Sequence, residues 1–426
     1  MTTLDRKLAP DFKEIEKINF SMPEKKELSN GIPFIEYNLG SQELIKIEFV
    51  FEAGSKYQEK PLVASFTNAM LKEGTSSKNS LEIANAVDYY GAFLETDINS
   101  DFATVSLYTL IKHLQNVLPI FQDILMNSVF PKEEFDKKLS IKKQKYIINQ
   151  EKVETLSSKA YSENIFKGTK YEKKTSLASF DLISVEDCKQ FYKERYNLGN
   201  ATIFVAGKTN PEIYSTINEL FGTSKINKEK IEFKASKSMY KPSIQFINKK
   251  DAIQSSFRIG KPIININHPN FTKLKVMNTL FGGYFGSRLM TNIREEKGYT
   301  YGIGSVLMSK IDFANFIIYT EVGKDVTQAA LDEIRKEILT LQTEKVSEEE
   351  LTKVKNYMLG RLLENTDGPF DMLERYKTLY YHNLPNNYYN QYIADIKSTT
   401  SEEITKLAQK YLYDLSIIVA GSEKVS

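Results

Sequence analysis

The chain has 426 residues, 41% of them hydrophobic and 26% charged, which excludes disorder of the whole chain. With 57 basic and 55 acidic side chains, its net charge of +2 gives no global attraction to nucleic acid or an anionic membrane. One cysteine, Cys188, excludes an intramolecular disulfide, and no stretch is long and apolar enough to span a bilayer.

The charged start, MTTLDRKLAPDFKEIEKINF, holds no apolar signal core, so a cytoplasmic location is expected, with a periplasmic one left open. In LIKIEFVFEAG, Ile45, Ile47, Phe49 and Phe51 alternate with Lys46, Glu48 and Glu52. That pattern predicts a sheet with one buried and one wetter face, paired antiparallel, with helices on one side. Pro131-Lys132-Glu133-Glu134-Phe135 opens a long helical pattern. Residues 184–207, SVEDCKQFYKERYNLGNATIFVAG, give a helix behind a serine cap and then an apolar strand ending Val-Ala-Gly. Cys188 lies in that helical pattern with no histidine nearby and reads as a small buried hydrophobe.

Residues 224–243 are rich in Lys and Ser without helical period and read as a linker. Beyond them, FANFIIYTEV alternates as the first strand does, and Ser347 and Glu350 have capping-box spacing before the apolar face Leu351, Val354, Met358 and Leu362. Residues 401–421, SEEITKLAQKYLYDLSIIVAG, repeat the helix-then-strand unit, again behind a serine, Ser401, and ending Val-Ala-Gly. The chain is therefore read as α+β: two homologous domains, each a mostly antiparallel sheet with helices on one face, over residues 1–223 and 244–426.

Chemistry is sparse. Gly282, Gly283 and Gly286 lack dinucleotide-fingerprint spacing, and no P-loop is present. His113, His268 and His382 include no i,i+3 or i,i+4 pair, the spacing that sets two imidazoles on one helical face. In FGGYFGSRLMTNIREEKGYTYGIGS, at 281–305, Ser287 is placed to cap a helix over 288–297, Leu289 and Ile293 share its core face, and Gly298 suits its end. Arg294 lies late in this helix and Tyr301 in the strand expected after it. Convergence of their donors would suit a carbonyl or developing oxyanion; separately, Arg294 would be solvated and Tyr301 packed in the sheet.

This stretch resembles the M16 (pitrilysin, mitochondrial processing peptidase) family: Gly282-Gly283, Ser287-Arg288-Leu289, then Arg294, six residues and Tyr301. The likeness extends to Asn30-Gly31-Ile32, AGSKYQ at 53–58, KEGT at 72–75 and both Val-Ala-Gly strand ends. It implies two homologous α+β domains of the LuxS/MPP-like metallohydrolase fold. Members with a metal carry H-x-x-E-H on a helix before the Gly-Thr. Here the helix reads SFTNAMLKEGT, so the histidine positions hold Ser65 and Ala69 and the glutamate position holds Asn68, while Phe66 and Met70 still suit a core. Near the family's third ligand, at 145–151, only Glu151 carries a carboxylate.

No cofactor is therefore expected in this chain. The resemblance to bacterial M16B peptidases, in which zinc and the Arg/Tyr pair can reside on different subunits, implies a heterodimer. A partner bearing H-x-x-E-H would supply zinc, and Arg294 and Tyr301 would act on an unfolded peptide from the other side. Self-association of the isolated chain is left open. The alternative is a catalytically inactive M16-like scaffold or peptide-binding protein.

Overall fold

The computed structural model describes residues 15, 18, 20–172, 174–226, 238–422 and 424. The central part of the expected linker, 227–237, lies outside the described residues. Among the described residues, eleven strands form two sheets. The first contains β1 (Glu24–Glu27), β2 (Pro33–Asn38), β3 (Leu44–Phe51), β4 (Phe93–Ile98), β5 (Ala103–Leu110) and β6 (Ala201–Gly207), in the order β1-β2-β6-β3-β5-β4. The second contains β7 (Ile244–Asn248), β8 (Gln254–Pro262), β9 (Ile303–Ser309), β10 (Ala314–Gly323) and β11 (Ser416–Gly421), in the order β7-β11-β8-β10-β9.

Without β1, the two orders are the same. In each, the strand ending Val-Ala-Gly comes last in sequence, inserts beside the first strand of its unit in parallel, and pairs antiparallel on its other side. The repeated ending thus marks one topological position: a late central strand, apolar because the sheet covers its edges and helices cover its faces.

The helix Val185–Arg195 is closed by a capping box between Ser184 and Asp187. Its counterpart, Ser401–Tyr411, is capped by Thr400 with Glu403, not by the expected Ser401. Ser401 is instead the first helical residue, its hydroxyl buried without a partner. Ser347 caps Glu348–Glu364 by accepting from the Glu350 amide at 3.2 Å. The Glu350 carboxylate does not complete the box; it takes a two-toothed grip on Arg288, at 2.8 Å for both bonds. Leu351, Val354, Met358 and Leu362 are buried as their spacing predicts.

Ile45, Ile47, Phe49 and Phe51 are fully buried in the first core with Phe66, Met70, Phe121 and Phe221. The opposite face of β3 is polar but not wet. The helix Pro369–Tyr381, from the far end of the chain, lies over it. Lys46 and Glu48 are buried there and meet Glu374 and Lys377. The exchange is reciprocal: the helix Val153–Ile165 covers the back of the second sheet, burying Ala160, Tyr161 and Ile165 against Ile317 and Ile418. Tyr161 donates to the Phe316 carbonyl at 2.7 Å. Gly260 permits this approach, since a Cβ there would stand 2.6 Å from the Tyr161 hydroxyl. Alternation in one strand separates two faces but cannot reveal that a remote helix covers the second.

Among the described residues, no helix is long and apolar enough to cross a membrane.

Candidate functional site

The helix Phe271–Asn278 runs into a wide π turn, Thr279–Gly283. Gly282 presses against β9, where a Cβ would lie 2.6 Å from Ser305 Oγ and 2.8 Å from its amide nitrogen. The paired glycines thus end one helix and let it touch the sheet; they form no phosphate cradle. Ser287 follows, fully buried, with its hydroxyl unpartnered. Its carbonyl, not its side chain, starts the next helix by accepting from the Thr291 amide at 2.9 Å. The expected side-chain cap is therefore absent, because the Ser287 hydroxyl has been drawn into the core.

Most of this next helix, Met290–Glu296, is also π-wound, and the Lys297 amide reaches back five residues to Asn292 at 3.0 Å. Such windings recur at functional sites because the extra residue re-aims side chains. Leu289 and Ile293 remain fully buried, and Arg288 ties the segment to Glu350. Gly298, at φ +66°, takes the left-handed conformation that ends the helix as its position predicts.

The loop before β9 is pinned from several sides. The Tyr299 amide donates to Ile293 at 3.0 Å. Thr300 Oγ1 donates to the Glu321 carbonyl at 2.6 Å and accepts from Thr320 Oγ1 at 3.1 Å. Arg294 Nε donates to the Tyr301 carbonyl at 3.0 Å, and the guanidinium carbon lies 4.7 Å from the Phe285 ring centroid. Tyr301 itself is 97% exposed and Phe285 60%. The structure thus brings Arg294 to the Tyr301 backbone but does not join guanidinium to phenol. Tyr301 also falls two residues short of the strand in which the sequence placed it, since β9 begins at Ile303. Phe285 and Thr300, which support the pair, were missed; an aromatic beside Gly286 and a threonine between two tyrosines carry no distinctive sequence signal.

In the first half, Val63–Met70 is the helix corresponding to the family's metal-binding helix. Phe66 and Met70 are fully buried, as expected. Ser65 Oγ turns back to the Leu62 carbonyl at 2.9 Å. Asn68 is buried and donates to the Tyr196 hydroxyl at 3.2 Å. Ala69 offers no ligand atom. Glu151 is exposed and ion-paired with Lys249, remote from this helix in its contacts. The long helix Lys132–Asn149 instead directs Lys142 here, its ammonium 3.5 Å from the Ser65 carbonyl and 4.3 Å from the Phe66 ring centroid. Burial, and then Lys138, lowers the Lys142 ammonium from its ordinary value, while Cys188 acts weakly in the other direction. These residues do not fit zinc: the hydroxyl and amide are committed elsewhere, Ala69 has no ligand atom, and a lysine ammonium stands against the helix. Lys142 precedes the 145–151 stretch, and one lysine on a lysine-rich helix carries no distinctive sequence signal.

The three histidines do not assemble. His113 packs beside Tyr90, His268 accepts from the Asn270 amide, and the His382 imidazole is lowered by burial, with Asp101 and Asp312 acting upward. Among the described residues, no group of three or more His, Cys, Asp or Glu could hold a metal. Cys188 is fully buried, and burial pushes its thiol up to about 12, which suits a core residue and not a nucleophile.

Two halves of one topology, a helix holding Ser65, Asn68 and Ala69 at the metal-motif positions, and a pinned arginine–tyrosine edge define a metallopeptidase-like chain. Comparison with known proteins agrees. The family model described as insulinase (peptidase family M16) matches residues 39–177, and that described as the peptidase M16 inactive domain matches 182–358. The chain belongs to peptidase family M16. It is 29% identical over 355 residues to an uncharacterized zinc protease of Rickettsia felis, covering 82% of this chain and 84% of that one. It is 20% identical to the non-peptidase homolog YmxG of Helicobacter pylori, covering 89% of each. In fold it matches the crystal structure of a peptidase M16 inactive domain from Pseudomonas fluorescens with a TM-score of 0.86, at 20% identity over 95% of this chain and 99% of the other.

Proposed function

We propose that this chain is the non-zinc subunit of a two-chain M16 zinc endopeptidase, contributing Arg294 and Tyr301 to bind and polarise an unfolded peptide. The observation that carries this reading is Tyr301. Its backbone neighbours are fixed by hydrogen bonds on both sides, yet its side chain is 97% exposed. A phenol that is exposed and not packed, on a loop held by hydrogen bonds, supports a role toward a group outside the chain. Arg294 anchors that loop through Nε; its Nη1 stands 3.9 Å from the Glu295 carboxylate, too far for a hydrogen bond, so its terminal donors can serve a peptide carbonyl. The metal chemistry would come from a partner with H-x-x-E-H; this chain would bind and orient the peptide and donate hydrogen bonds to its oxyanion.

The test is reconstitution. Alone, the chain should not cleave an unfolded peptide; mixed with an H-x-x-E-H partner, it should restore cleavage. Tyr301→Phe should lower kcat by about 10²- to 10³-fold, the usual cost of losing one oxyanion donor. Unchanged activity in both Tyr301→Phe and Arg294→Ala complexes would overturn this role.

The likeness to an M16 inactive domain and to a non-peptidase homolog favours a second reading, that of an inactive scaffold or peptide-binding protein. It predicts peptide binding or complex formation without cleavage in every mixture.

A further inference from the structure

A recess of about 310 Å³ opens among the helices of the second half, between Phe271–Asn278, Glu348–Glu364, Pro369–Tyr381 and Tyr388–Ser398. Three of its lining side chains are cationic, Lys275, Arg361 and Arg375, and none is Asp or Glu. Arg361 is ion-paired with Glu364. Lys275 and Arg375 make no ion pair among the described residues. Arg375 donates through Nε to the Asn365 carbonyl at 3.2 Å and also engages the Tyr389 hydroxyl, and the Lys275 ammonium lies 5.3 Å from the Tyr392 ring centroid. Lys275 is accessible to solvent yet walled by protein, the situation of an amine projecting into a wet recess. Burial, and then Arg375, lowers its ammonium to about 8.

This arrangement departs from the rest of the chain. Several sheltered cations elsewhere meet carboxylates: Lys46 with Glu48 and Glu374, Lys56 with Asp101, Arg258 with Glu321, and Arg288 with Glu350; Lys142, against the Ser65 carbonyl and the Phe66 ring, is an exception, though not one of a pair of cations lining a recess. Two neighbouring cations lining one recess without an anion repel each other, a cost that a bound anion reverses. Tyr388, Tyr389 and Tyr392 wall the recess; burial raises all three phenols, with Arg375 acting downward on Tyr389 and Tyr392, and the Tyr389 hydroxyl is committed to the Arg375 carbonyl at 3.1 Å. Met358 and Leu362 add an apolar surface. The volume is at the small end for ligand sites.

From these observations we infer that the recess binds a small organic anion, with a carboxylate or phosphate head between Lys275 and Arg375 and an apolar or aromatic body against Tyr392, Met358 and Leu362. The Arg294–Tyr301 edge has no part in this site, so its test is independent of any peptidase complex.

The experiment is isothermal titration calorimetry on the full chain with benzoate, phenyl phosphate and inorganic phosphate, using benzyl alcohol as the uncharged comparison. Saturable binding of at least one aromatic anion is expected. Benzoate against phenyl phosphate separates a carboxylate from a phosphate ligand, and inorganic phosphate reports the head group alone. Lys275→Gln and Arg375→Gln should each weaken binding by about 10- to 100-fold, as expected for losing a charged hydrogen bond. In anion-free buffer, Lys275→Gln should also raise the melting temperature by relieving repulsion. If Arg375→Gln does not fold, Lys275→Gln and Tyr392→Phe carry the comparison. No saturable binding by any anion, equal binding of benzyl alcohol, or anion binding unchanged in the folded variants would overturn the inference.

Discussion

Tyr301 and Arg294 differ in what they contribute to the chain itself. Tyr301→Phe removes a hydroxyl with no hydrogen bond among the described residues, so its unfolding free energy should stay within about 0.5 kcal/mol of the parent. Arg294→Ala removes the bond to the Tyr301 carbonyl and the stack on Phe285 and should cost about 1 kcal/mol. Urea unfolding distinguishes them: if Tyr301→Phe is the more destabilised variant, the phenol has a packing task and is not free to serve a peptide. In the first half, Ser65→His, Asn68→Glu and Ala69→His together would rewrite the metal motif in sequence. Lys142 would still press its charge against that helix. The triple variant should therefore retain little zinc after dialysis, and adding Lys142→Glu should raise retention. Stoichiometric zinc in the triple variant would show that Lys142 moves aside.

Between elements, the polar back of β3 is joined to Pro369–Tyr381 by a four-member network. Glu48 receives Lys46 at 3.1 Å and Lys377 at 2.6 Å; Glu374 receives the same lysines at 3.0 and 2.8 Å. For Glu374, burial acts upward, but Lys377 and Lys46 outweigh it and hold the carboxyl below its ordinary 4.5. That contribution to stability is present above pH 4.5 and lost as pH falls through the lower folded value. For Lys46, burial acts downward, but Glu48 and Glu374 outweigh it and hold the ammonium above its ordinary 10.5. That contribution is present below pH 10.5 and lost as pH rises through the higher folded value. The network's contribution should thus be level between these limits and decline outside them. Glu48→Gln should cost about 3 kcal/mol at neutral pH, because it leaves two sheltered lysines with one carboxylate. Urea midpoints across pH would check both; a Glu48→Gln protein as stable as the parent would remove the network from the account. The sequence made the faces of β3 legible, because alternation has a period of two. It also made legible the duplicated helix–strand units, whose repeated endings occupy equivalent strands. It hid what distance in the chain conceals: a helix more than three hundred residues away as the cover of Glu48, the shift from Ser401 to Thr400 as a cap, and the π winding that sets Arg294. At the candidate site the residue types and their spacing were readable, while the exposure of Tyr301 depends on where β9 starts, a matter of two residues.

At the scale of the molecule, the two halves share one topology, but neither is closed by its own helices. The first contributes Val153–Ile165 to the back of the second sheet, and the second contributes Pro369–Tyr381 to the back of the first. The exchange buries apolar side chains on both sides: Ile317 and Ile418 under Ala160 and Tyr161, and Tyr37 and Phe204 under Tyr376 and Tyr380. Taken alone, each half would expose one sheet face to water and would also strand polar groups that the other half satisfies. Continuity of the chain is a weaker tie than these surfaces, because joining two docked bodies changes only their effective concentration. A chain cut between residues 226 and 238 should therefore remain one particle, with both fragments eluting together at the position of the intact 48.9 kDa chain and melting in a single transition. The fragments prepared separately should melt without cooperativity and regain the single transition on mixing. Fragments that separate on the column, or that each melt cooperatively alone, would mean that the halves are self-sufficient domains and the exchanged helices only an interface.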